Sequence, residues 1–129
     1  MDLGSTVVDP AEELLRRLAL NDEKTLGMVL TRRPGADGRT GLGSKVDPLV
    51  RLAALLAIGA SLPSLRDAVK QAAAAGATTD EIVGVLVSVG PTIGLASLVA
   101  SAPRLALAIG FDLDNGADEN TGTATSDRI

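Results

Sequence analysis

Apolar and polar positions follow a helical period along most of this chain, most clearly in residues 61–81, SLPSLRDAVKQAAAAGATTDE. Leu65, Ala68, Val69 and Ala72 recur at i, i+3, i+4 and i+7, while Arg66, Asp67, Lys70 and Gln71 take the other face. That spacing predicts an amphipathic helix lying on a core. Ser61 and Ser64, on either side of Pro63, read as N-caps of this helix. Gly76 is its predicted stop, because a helix commonly ends on a left-handed residue and glycine has no Cβ to strain there. Thr78 to Glu81 then forms a capping box: the Thr78 hydroxyl accepts from the Glu81 amide, and the Glu81 carboxylate accepts from the Thr78 amide. A new helix therefore starts near Thr79.

The same signals order the N-terminal half. Asp9-Pro10, followed by Glu12 and Glu13, places a cap, a first-turn proline and acids where a helix dipole favours them. Leu14, Leu15 and Leu18 give that helix an apolar stripe. Asn21 or Asp22 caps a short second helix carrying Leu26, Val29 and Leu30, which ends before Pro34. An αα-hairpin is the expected result. Asp47-Pro48 repeats the cap-then-proline signature and opens a helix to about Ala60. Its apolar residues, Leu49, Val50, Leu52, Leu55, Leu56 and Ile58, point nearly all round, the mark of a central helix buried on several sides. Arg51 is the one charge between Pro48 and Ala60. It must reach solvent or a carboxylate, and Asp47 one turn earlier is the local partner; the other reading makes it a ligand-facing arginine in a pocket.

Residues 82–103 contain no charge. A stretch of about 20 such residues is long enough to span a membrane, which makes a membrane-associated helical protein a remote alternative. Gly90-Pro91 in its middle, Gly84 and Gly94, and the hydroxyls of Ser88, Thr92, Ser97 and Ser101 argue for two soluble-type helices instead, 79–89 and 92–102, turning at Gly90-Pro91. A last helix, 104–110, follows Pro103. The acidic segment 112–129 has too little apolar surface to offset the entropy of ordering it and is expected to be a disordered tail. The fold class is therefore all-α: one compact domain over 1–111, with about seven helices.

Composition narrows the chemistry. Of 129 residues 46% are apolar, yet Phe111 is the sole aromatic, so the core must be built from Leu, Val, Ile and Ala. A net charge of -4 and the missing aromatics exclude the usual nucleic-acid surfaces. With no cysteine there is no thiolate nucleophile and no disulfide to cycle, which excludes thiol peroxidase chemistry. With no histidine the chain lacks the side chain best suited to moving protons at neutral pH. Neither a cofactor nor a metal is expected. The absence of cysteine fits a reducing compartment, and MDLGSTVVDP lacks a signal-peptide pattern, so a cytoplasmic location is expected. The segment from Gly38 to Lys45, GRTGLGSK, approximates a phosphate-binding loop, but its lysine and hydroxyl stand in the wrong order and no strand precedes it. Arg32, Arg33, Arg39 and Lys45 gathering round a small anion is the milder reading; a solvated loop is the favoured one.

The succession of a helix ending AAAAG, then ATTDEIVGVL, then a glycine-containing helix resembles the carboxymuconolactone decarboxylase family, which includes the alkylhydroperoxidase D-like proteins. The resemblance covers residues 46–111, about half of the chain. It implies an oligomeric all-α fold, with trimers, or hexamers built from dimers or trimers. Peroxide-reducing relatives carry Cys-x-x-Cys at the start of the helix before the glycine stop, a histidine four residues later and a glutamate one helix earlier. On this chain those positions fall at Ser61 and Ser64, at Ala68, and at Pro48 or Leu49, so none of the four groups is kept.

Two functional classes follow. One is a ligand-binding or scaffold member of this fold, in which oligomeric helices enclose a small apolar pocket near Ser61, Ser64 and Arg51 and take a small carboxylate or apolar ligand. The other is a lyase-type enzyme, with decarboxylase (carboxy-lyase) or lactone chemistry, in which an arginine holds a substrate carboxylate. The candidate residues are Arg51, Ser61, Ser64, Arg66, Asp67 and Glu81. Two amphipathic N-terminal helices cannot cover the apolar helices after Pro48 and Thr79, so an apolar patch should stay open. Homo-oligomerisation through small residues such as Gly84, Ser88, Gly94, Ala96 and Ser97 is the expected way to close it.

Overall fold

The computed structural model describes residues 9–33 and 40–111. The expected disordered tail, 112–129, and the part of the glycine-rich loop at 34–39 lie outside them. Among the described residues the protein is all-helical, with five α-helices and no strand. They fall into two compact units, residues 1–36 and 37–129.

The first unit is an αα-hairpin of α1 (Pro10–Ala19) and α2 (Glu23–Leu30). Asp9 caps α1, its Oδ1 accepting from the Ala11 amide at 3.0 Å with Pro10 in the first turn. Asp22 caps α2 and accepts from both the amide and the hydroxyl of Thr25. Between them Asn21 takes a left-handed φ of 60°, and the Asp22 and Asn21 amides return to the carbonyls of Arg17 and Leu18. This paired return closes the C-terminus of α1. The leucine stripe of α1 buries no residue, and Leu14 and Leu15 are exposed.

The second unit packs α3 (Val46–Ala57), α4 (Leu62–Ala74) and α5 (Thr79–Ile109) against one another. Its core joins Leu52 and Leu56 of α3, Leu65, Ala68, Val69 and Ala72 of α4, and Ile82, Leu86 and Leu105 of α5. All four residues expected on the buried face of α4 are there. The Ala77 and Gly76 amides return to the carbonyls of Ala72 and Ala73, with Gly76 at φ 97°, so α4 stops where its sequence says it should. Ser61 does occupy the N-cap position of α4, but makes no capping bond, and Ser64 lies one turn inside the helix; its Oγ instead accepts from the Ser61 hydroxyl at 3.4 Å.

Three expectations need correction. The N-cap of α3 is Lys45, without a side-chain bond, and Asp47 sits inside the first turn. Nor is α3 buried on several sides: Leu52 and Leu56 form one buried edge, while Val50 and Ile58 are exposed. The third concerns the number of helices after Thr79. Instead of three short ones there is a single element carrying Pro91 and Pro103 within it, and it breaks at Gly94, where φ is 87° and ψ 169°. Proline removes one backbone donor, a loss that a long helix packed against neighbours tolerates. The break falls instead at the residue able to adopt a conformation that is essentially glycine's alone. Five helices therefore replace the expected seven, with α5 bent into an N-terminal arm, 79–93, and a C-terminal arm, 95–109.

Candidate functional site

Arg51 extends from α3 towards α4, its guanidinium Nη1 standing 3.9 Å from Asp67 Oδ2 and donating to Gln71 Oε1 at 3.4 Å. Gln71 Nε2 in turn donates to Asp67 Oδ2 at 3.0 Å, one turn away on the same helix. Gln71, on the polar face of α4 and not among the candidate residues, completes this cluster because it follows Asp67 at the i+4 spacing that places both over α3. The side chains of Arg51 and Asp67 are 34% and 61% exposed, so the group is a solvated clasp between helices, and a contact of this kind contributes about 0–1 kcal/mol.

Glu81 closes the capping box at the start of α5: its amide donates to Thr78 Oγ1 at 3.1 Å and its Oε1 accepts from the Thr78 amide at 2.9 Å. Its second oxygen meets Lys45 Nζ at 2.9 Å, which ties the chain before α3 to the N-terminus of α5. The Thr78 amide, and after it the Lys45 ammonium, hold the Glu81 carboxyl below its ordinary acidity range. Such a group is an ion at neutral pH and a poor proton donor. Of the cations in the glycine-rich segment, Lys45 is thus engaged with Glu81, and Arg39 lies outside the described residues. Arg66 is exposed on α4, and Ser61 and Ser64 pair with each other at the start of that helix. The structure therefore joins Arg51 to Asp67 and Ser61 to Ser64, and leaves Glu81 to its structural work. Ala68, at the position of the family's histidine, is 1% exposed and part of the core.

A feature the sequence did not foretell lies at the bend. Around Gly94 the two arms of α5 enclose an open cleft of about 600 Å³, floored by Gly90 and Gly94 and walled by Leu86, Val87, Pro91, Leu95 and Leu98. No charged side chain and no hydroxyl lines it. A smaller hollow of about 190 Å³ lies between Leu49, Val50 and Ala53 of α3 and Val85, Ser88 and Val89 of α5. Neither is lined by Arg51, Ser61 or Ser64. The cleft continues into an exposed apolar surface: Val87, Leu95 and Val99 are 70%, 77% and 61% exposed. By length and composition α5 is also apolar enough to cross a membrane. Among the described residues no three His, Cys, Asp or Glu side chains gather to hold a metal ion.

The arrangement offers apolar enclosure and a surface for helix packing, with ionic groups held at the edges in pairs. Comparison of the chain with protein-family models, with curated proteins and with solved structures finds no match.

Proposed function

We propose that this chain is an oligomer-forming, small-ligand-binding protein of the carboxymuconolactone decarboxylase-like type, cytoplasmic and without thiol peroxidase chemistry. The observation that carries the reading is the exposed face of α5: Val87, Leu95 and Val99 stand open on an element with no charged residue between Ile82 and Pro103. Apolar area of this kind gains about 25 cal/mol per Å² when removed from water, which favours association between copies, as trimers or hexamers. The helix that ends at Gly76, the Thr78–Glu81 box and the glycine-broken helix after it support the family resemblance. The apolar cleft at the bend supports an uncharged, apolar ligand over a carboxylate, because an ionised group placed there would lose its hydration with no partner in exchange. A lyase-type reaction is the weaker reading: Arg51 is already engaged by Asp67 and Gln71, and Glu81 is held as an ion.

Light scattering coupled to gel filtration tests the proposal. The wild-type protein should show a multiple of its 13.0 kDa chain mass, and Leu95→Asp should reduce that mass while the helical circular dichroism is kept. A monodisperse wild-type monomer, or a protein recovered only in detergent, would overturn it. Thermal-shift screening against apolar lactones and against small carboxylates then decides the ligand class, with stabilisation by the uncharged set expected.

A further inference from the structure

We draw no further inference here: the strongest candidate, the apolar cleft between the two arms of α5 around Gly94, belongs to the face already described, and nothing in the structure shows what covers it.

Discussion

Gly90 lies against Leu98, eight residues further along the same element: a Cβ on Gly90 would stand 3.8 Å from Leu98 Cδ2. In a straight helix eight residues span about 12 Å along the axis. The approach therefore depends on the break at Gly94, midway between them, which swings the C-terminal arm back beside the first. Once bent, that arm places Leu105 in the core and brings the Ser101 hydroxyl to the Leu56 carbonyl and Arg104 to the Gly59 carbonyl, both at 3.4 Å. It thereby adds a second bond to the Leu56 carbonyl, which already accepts from the Gly59 amide at 3.3 Å, and ties down the Gly59 carbonyl just beyond α3.

Gly94→Ala should accordingly be costly even though an added Cβ there meets nothing within 4 Å. The cost is conformational, since a φ of 87° with ψ 169° is strained for any residue with a side chain. We expect a loss of about 1–3 kcal/mol by urea denaturation. An unchanged midpoint would mean that the two arms do not bend at this residue.

The second glycine test is independent of the first. Gly76 has φ 97° and open space around it, so Gly76→Val should lower stability by about 1–2 kcal/mol through the backbone alone. Gly76→Asn should lose less, because asparagine tolerates the left-handed region better than a β-branched residue. Equal losses for the two variants in parallel denaturation curves would count against this account.

Acid should loosen the start of α5. The Glu81 carboxyl titrates below its ordinary value of 4.5, so its contribution to stability is fully present above that pH and fades as the pH falls through the folded value. Glu81→Gln should therefore be less stable than wild type at pH 7, and the difference should shrink towards pH 3. Lys45→Met should show the same trend with smaller amplitude, since the Thr78 amide remains. Chemical denaturation at both pH values checks this; a gap that widens on acidification would reverse the sign and refute it.

Peroxide reduction should be absent. Wild type has no cysteine, and turnover of a hydroperoxide with a dithiol reductant, after metal removal, is expected to match the buffer blank. Ser61→Cys with Ser64→Cys should gain a trace at most, because a thiol at its usual pKa of ~8.5 is only a few per cent ionised at neutral pH. Adding Ala68→His, the substitution the family pattern invites, should unfold the protein rather than activate it, because Ala68 is 1% exposed among Leu65, Ala72 and their neighbours. A stable, faster triple variant would show that this core position can accept an imidazole facing the serines.

Most short-range interactions were legible in the sequence because each partner lies within a few residues of the other, although Asp47 does not cap α3. The caps at Asp9 and Asp22, the stop at Gly76, the Thr78–Glu81 box and the buried face of α4 are all of this kind. The all-helical class followed from them, and the absence of cysteine is read directly from the sequence. Interactions between distant residues were decided only in the folded chain. Arg51 faces Asp67 and Gln71 because α3 packs on α4, and Lys45 finds Glu81 because the start of α3 comes to the start of α5. The position of the bend belongs to the same class. Local propensity marks Gly90-Pro91 as strongly as Gly94, and an isolated helix would pay about 3 kcal/mol for Pro91. Burial of Leu105 and the bonds from Ser101 and Arg104 to α3 are gained only when the C-terminal arm turns back at Gly94, and this packing, invisible to any local pattern, decides where α5 breaks and so where its apolar cleft opens.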